Sequence, residues 1–109
     1  MEALAAVADP TRRQLLDLLA RGEMAAGELA GRFSVSRPAI SRHLRVLRES
    51  GLVRVRPDGR ERRYALDAAP LRELDEWLTP YRDLWAQRLD ALDTEIARGR
   101  RAQRNGEPT

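Results

Sequence analysis

Residues 28–66 read ELAGRFSVSRPAISRHLRVLRESGLVRVRPDGRERRYAL. Ser36 followed by Pro38 marks the start of a helix: serine caps free amides, and proline is tolerated in a first turn but breaks an interior. Spaced at about 100° per residue, Ala39, Ile40, His43, Leu44, Val46 and Leu47 share one side of this helix. Arg37, Pro38, Ser41, Arg42, Arg45, Arg48 and Glu49 take the other. Gly51 ends it, close after Arg48, whose charge suits a helix C-terminus. Leu52–Arg56 and Arg62–Leu66 then alternate apolar and charged positions on either side of Pro57-Asp58-Gly59-Arg60-Glu61, which predicts a β-hairpin with a five-residue loop. The outward residues of its strands include Arg54, Arg56 and Arg63, with Arg60 and Arg62 at or near the tip.

Upstream, Glu2–Val7 predicts a short helix. Asp9-Pro10-Thr11 restarts one, with Asp9 as N-cap, Pro10 at the first helical position, and Leu15, Leu16, Leu18 and Leu19 forming the apolar face. Gly22 is its natural stop. A third helix is expected over about Ala26 to Phe33, with Leu29 and Phe33 four apart, and Ser34–Ser36 forms the turn into the helix described above. Downstream, Leu71, Leu74, Trp77, Leu78, Tyr81, Leu84, Trp85, Leu89, Leu92 and Ile96 fall within roughly 140° of a helical wheel. The stripe keeps its phase across Thr79-Pro80, which predicts a kink, or a stop and restart capped by Thr79, without a change of face. A helix from Leu71 to Ile96 would be about 39 Å long, more than a domain of this size can cover, so part of the stripe requires a partner. Residues 1–97 read as one domain and residues 98–109 as a flexible basic tail.

Composition narrows the function. The chain has 109 residues, the size of one domain, with 42% hydrophobic and 34% charged residues, which suits a soluble globular fold. The longest apolar run, Ala3–Ala8, is far short of the ~20 residues that span a bilayer, and no secretory signal is visible, so a cytoplasmic protein with no membrane partner is expected. There is no cysteine, and His43 is the only histidine. Most catalytic and zinc arrangements need several such side chains converging, so no enzyme, metal or cofactor is expected. The net charge of +3 conceals segregation: residues 37–63 carry nine arginines against three acids, and residues 64–97 carry three against eight. All twenty basic residues are arginine, which suits bidentate contacts to phosphate and guanine.

Together these signals predict a mainly α chain with a small β-hairpin, a winged helix-turn-helix that binds double-stranded DNA. In such a unit the second helix enters the major groove, so Arg37, Ser41, Arg42 and Arg45 are placed to reach base edges. Ser36 would offer its backbone amide or hydroxyl to a phosphate, and Arg56, Arg60 and Arg62 of the wing would meet flanking phosphates or a minor groove. Two other classes share parts of this pattern: a sequence-indifferent architectural DNA protein, and a winged-helix module used for protein interaction. His43, beside Ile40 and Leu47, is expected to pack inward with one ring nitrogen hydrogen-bonded. Trp77, Tyr81 and Trp85, four residues apart, are expected to serve core and interface packing ahead of a ligand pocket.

The chain resembles the ArsR family of bacterial winged-helix repressors over residues 1 to about 96. The resemblance rests on ADPTRRQLLDLL (8–19), GELAGRFSVSRPAISRHLRVLRESGLVRVRPDGRERRYAL (27–66) and PLRELDEWLTPYRDLWAQRLDAL (70–92). It implies a homodimeric repressor joined through its first and last helices, with paired recognition helices on a palindromic operator. Leu4, Val7, Leu74, Trp77, Leu78, Tyr81 and Trp85 are the interface residues so implied. Metal-sensing members carry cysteines two and four residues after the glutamate of the third helix, where this chain has Ala30 and Arg32 after Glu28. Their other site uses Asp and His on the last helix, which here offers only carboxylates such as Asp75, Asp90, Asp93 and Glu95, poor transition-metal ligands by themselves. The chain thus resembles the branch lacking the metal-binding cysteines, whose small-molecule effectors are not legible from sequence.

Overall fold

The computed structural model describes residues 2–104. The elements run α1 (Glu2–Val7), α2 (Pro10–Leu19), β1 (Met24–Ala25), α3 (Ala26–Ala30), α4 (Arg37–Glu49), β2 (Val53–Asp58), β3 (Glu61–Leu66) and α5 (Ala69–Arg104). Within the span 1–97 read as one domain, the chain divides after Leu74 into two units.

The first unit is built on leucines from several helices. Leu15, Leu16 and Leu19 of α2, Leu29 of α3, Ile40, Leu44 and Leu47 of α4 and Leu52 before β2 are buried together, joined by Ala3 and Ala6 of α1, Val53 and Leu74. Each such leucine withdrawn from water contributes about 1.5–3 kcal/mol before conformational entropy is charged against it. The capping expected at Asp9 is present: its Oδ2 accepts from the Arg12 amide at 3.0 Å. Helix α3 is shorter than expected. After Ala30 the backbone turns through Arg32 N–H to Leu29 O (3.1 Å) and Phe33 N–H to Ala30 O (3.4 Å), the tighter i to i−3 pattern, which leaves Phe33 outside the helix but packed on the core.

Helix α4 ends in a Schellman arrangement. Leu52 N–H reaches Leu47 O at 2.9 Å and Gly51 N–H reaches Arg48 O at 3.0 Å, with Gly51 at φ +78°. The chain is thereby aimed into the wing, and buried Leu52 closes over buried Leu47.

The sheet has three strands in the order β1-β3-β2, all antiparallel. Two corrections to the sequence reading lie here. Met24–Ala25 form a strand that was not expected, paired with Tyr64 and Arg63. The hairpin loop is two residues, not five, because Asp58 pairs with Glu61 and Pro57 with Arg62. Pro57 is accommodated because β2 is an edge strand, where a missing N–H leaves no partner unsatisfied. Gly59, at φ +63°, occupies the first central position of the turn, and Arg60 has no positive φ, the combination of a type II′ hairpin.

In the second unit α5 continues through Pro80 as one helix, so of the two alternatives at Thr79-Pro80, a kink or a stop and restart, the restart does not form. Pro80 cannot donate to Glu76 O. Polar groups gather one carbonyl earlier: Thr79 Oγ1 and Arg82 Nη2 both donate to Asp75 O, at 3.3 and 3.2 Å, and Arg82 Nη1 bonds Asp75 Oδ1 at 2.6 Å. The helix runs to Arg104, past the start of the tail expected from residue 98, and residues 105–109 lie outside the described residues. No helix among the described residues is long and apolar enough to cross a membrane.

Candidate nucleic-acid interface

Helix α4 presents the two faces expected of it. Ile40, Leu44 and Leu47 are buried, whereas Arg37, Pro38, Ser41, Arg42, Arg45, Arg48 and Glu49 are exposed. At its start, Ser36 Oγ accepts from the Ala39 amide at 3.3 Å, and the hydroxyl proton stays available to an external acceptor. His43 turns inward as expected, its side chain 22% exposed, with Nδ1 3.3 Å from Arg12 Nη1.

The wing sorts its arginines by face. Side chains alternate along a strand, and directly paired residues share a face. The register Arg56↔Arg63 and Pro57↔Arg62 therefore puts Arg54, Arg56 and Arg63 on one face, and Arg62 with Tyr64, Val55 and Val53 on the other. The second face looks toward α4: Ser41, Arg45 and Arg48 of the helix and Arg60, Arg62 and Tyr64 of the wing line a groove of about 570 Å³, with Glu61 its only acid among the described residues.

The first face is occupied by acids. Arg56 Nη2 and Arg63 Nε both bond Glu23 Oε1, at 2.6 and 2.7 Å, and Arg54 Nε bonds Asp67 Oδ2 at 3.0 Å. The hydrogen bonds from Arg56 and then Arg63 hold the Glu23 carboxyl below its ordinary range. The Ala69 amide, followed by Arg54, does the same for Asp67. Arg56, grouped by sequence with Arg60 and Arg62, is thus separated from them and already paired. Among the described residues, Arg37, Arg42, Arg45, Arg48, Arg60 and Arg62 form no ion pair. Their charge is left for an external anion. Arg48, placed by sequence on the same side as Ser41 and Arg45 (i, i+4, i+7) but left out of the expected DNA contacts, lines this groove with them.

The family model described as "Bacterial regulatory protein, arsR family" matches residues 9–55. An HTH-type transcriptional regulator of Mycobacterium tuberculosis is 46% identical over 90 residues, covering 79% of this chain and 84% of that protein. The transcriptional repressor SdpR of Bacillus subtilis is 38% identical over 73 residues, covering 67% of this chain and 81% of the relative. The chain belongs to the ArsR family. A solved structure described as a possible transcriptional regulator for arsenical resistance superposes on this ArsR chain with a TM-score of 0.69 at 44% identity, covering 87% of this chain and 96% of the other. This ArsR protein is accordingly a winged helix-turn-helix, DNA-binding transcriptional regulator, of a family of regulators and not of enzymes.

Of the residues implied for a dimer interface, Leu4 is 44% exposed, and Trp77, Tyr81 and Trp85 are 43%, 46% and 52% exposed. Trp77 and Tyr81 lean on each other, with ring centroids 5.4 Å apart and planes at 51°. Leu78 is half-buried, and Val7 packs partly against the core. Leu74, at 7% exposure, packs in the core of the first unit. At these exposures Trp77, Tyr81 and Trp85 are not core residues among the described residues.

Proposed function

We propose that this protein is a homodimeric repressor, acting in the cytoplasm, that occupies a palindromic operator and thereby blocks transcription. The observation that carries the reading is the set of arginines on the outer side of α4 and at the wing tip that form no ion pair among the described residues, four of which, Arg45, Arg48, Arg60 and Arg62, line one groove while the other wing face is neutralised by Glu23 and Asp67. Arg37, Ser41, Arg42 and Arg45 read base edges, Ser36 meets a phosphate, and Arg60 and Arg62 hold the flanking backbone, with Arg56 available only if Glu23 is displaced. The exposed apolar stripe of α5 and the first helix supply the dimer contact, which sets two copies of α4 about 34 Å apart on successive major grooves. Several similar proteins are named repressors, which supports the direction of regulation. The chain acts by binding and not by catalysis, in keeping with one histidine and no cysteine.

Selection of bound sequences from a pool of random duplexes tests the reading. An inverted repeat with half-sites about one helical turn apart is expected. Enrichment of no sequence would favour an architectural DNA protein, and no DNA retention at all would favour a protein-interaction module; either overturns the proposal.

A further inference from the structure

Arg12 and Arg13, neighbours in the first turn of α2, both reach back to the end of α1. Arg12 Nε donates to Ala6 O at 2.6 Å and its Nη2 to Ala5 O at 3.3 Å, while Arg13 Nη1 donates to Val7 O at 2.8 Å and Ala8 O at 3.1 Å. The last carbonyls of a helix lack donors within the helix, and here two guanidiniums supply them. A helix of six residues cannot hold itself in water, so whatever grips α1 also sets its position.

The two grips differ in one respect. Arg12 Nη1 also lies 3.3 Å from His43 Nδ1 on the inward side of α4, whereas Arg13 makes no hydrogen bond to α4 among the described residues. A guanidinium has only donors, so in this contact Nδ1 is the accepting atom. Asp9 Oδ2, at 3.8 Å from Nδ1, is too far to compete and is itself engaged by the Arg12 amide at 3.0 Å. One side chain therefore ties α1, α2 and α4 together, and it meets α4 at the residue next to Arg42.

We propose that Arg12 is a positioning residue for DNA reading: through His43 it fixes the rotation of α4 relative to α1, so that the placement of α1 is delivered to Arg42 and Arg45. The inference rests on α4 being the reading helix. A small rotation of α4 leaves its leucines packed but swings long guanidinium side chains further at their tips. Base discrimination is therefore the property expected to fail first, ahead of stability or general affinity.

The test measures the ratio of Kd for a shuffled duplex to Kd for the consensus duplex this protein selects, with unfolding followed in parallel. Arg12→Ala should lower that ratio about tenfold and leave affinity for the shuffled duplex unchanged, as loss of a hydrogen bond from a charged donor allows. Arg13→Ala likewise removes two bonds to the end of the α1 segment, at Val7 and Ala8, without touching α4, and should leave the ratio within about twofold. His43→Asn, whose amide oxygen can stand where Nδ1 stands, should keep the ratio. His43→Leu should lower it as Arg12→Ala does, and the Arg12→Ala/His43→Leu double variant should lose no more than either alone. Equal losses from Arg12→Ala and Arg13→Ala, or additive losses in the double variant, would mark Arg12 as a helix cap only and overturn the proposal. If Arg12→Ala does not fold, the His43 pair decides, and the proposal fails if Asn and Leu behave alike. A wild-type chain that does not discriminate between the duplexes brings down the reading role of α4, and this proposal with it.

Discussion

Arg56 and Glu23 meet at 2.6 Å, Nη2 to Oε1, on the face of the wing opposite Arg62. Their pairing divides the wing into arginines that are free for DNA and arginines that must first be released. A phosphate gains Arg60 or Arg62 at the cost of water alone, but gains Arg56 only by displacing a carboxylate. Arg60→Ala or Arg62→Ala should therefore weaken binding to all duplexes and lower the slope of log K against log salt by about 0.9 each. Arg56→Ala should leave that slope nearly unchanged. Titrations at several salt concentrations check this, and an equal drop for Arg56→Ala would show that the Glu23 pair opens on DNA.

On the reading helix the expectation is different in kind. Arg42→Ala or Arg45→Ala should reduce the preference for the selected duplex over random DNA by about 1–3 kcal/mol, because a base-edge contact is lost and not merely a charge. Competition binding with both duplexes separates the two. A uniform loss on every sequence would move these arginines to the phosphate backbone.

Helix α4 was legible because three independent signals agree on it: a capping serine, a proline two residues later, and a periodic apolar side ending at a glycine. The arginine side followed directly. What the sequence hides depends on partners distant in the chain. Met24–Ala25 are too short for any periodicity and become a strand only because β3 passes beside them. Pro57 reads as loop unless β2 is known to be an edge strand, and the loop length then sets the register and hence the face each arginine occupies. That is why Arg56 was grouped with Arg62. Nothing local connects Glu23 with Arg56 and Arg63, or Arg12 with His43. The burial of Leu74 was hidden for a related reason: a continuous stripe on a wheel does not show where the helix stops serving its own core.

The caps of α4 can be tested singly. Ser36→Ala removes the acceptor for the Ala39 amide and should cost about 1 kcal/mol. Gly51→Ala forces a side chain into the left-handed region at φ +78° and should cost about 1–2 kcal/mol. Urea unfolding with an unchanged m-value is the expected record, since neither change alters the surface exposed on unfolding. An unaffected midpoint for Gly51→Ala would mean that the turn into the wing relaxes to another conformation.

Acid should loosen the wing before it unfolds the core. Glu23 and Asp67 are both held below their ordinary carboxylate values, by Arg56 and Arg63 in the first case and by the Ala69 amide and Arg54 in the second. A carboxyl whose pKa is lowered by folding stabilises the fold fully above its unfolded value, and that contribution disappears as pH falls through the folded value. Glu23 is exposed and Asp67 only half-buried, so the effect is modest. Stability of the wild type should fall as pH drops below the ordinary carboxylate range, and the Glu23→Gln/Asp67→Asn variant should show a flatter profile there. Parallel profiles for the two proteins would remove these ion pairs from the account.

Trp77, Tyr81, Leu84, Trp85, Leu89, Leu92 and Ile96 are between 41% and 61% exposed on one side of α5, an apolar surface of a kind that single soluble chains seldom leave open. Leu89, the most exposed of them at 61%, is the position where a charge would be least tolerated by a second copy and best tolerated by a monomer. Leu89→Glu should therefore shift the protein from dimer to monomer with a penalty of at least about 2 kcal/mol, while leaving the first unit folded. Asp83→Lys, an equally large change of character at an exposed position on the opposite side of the helix, should leave the dimer intact. Sedimentation at micromolar concentration distinguishes these outcomes. A monomeric wild type, or a dimer indifferent to Leu89→Glu, would remove α5 from the interface, and with it the geometric basis for two reading helices one turn of DNA apart.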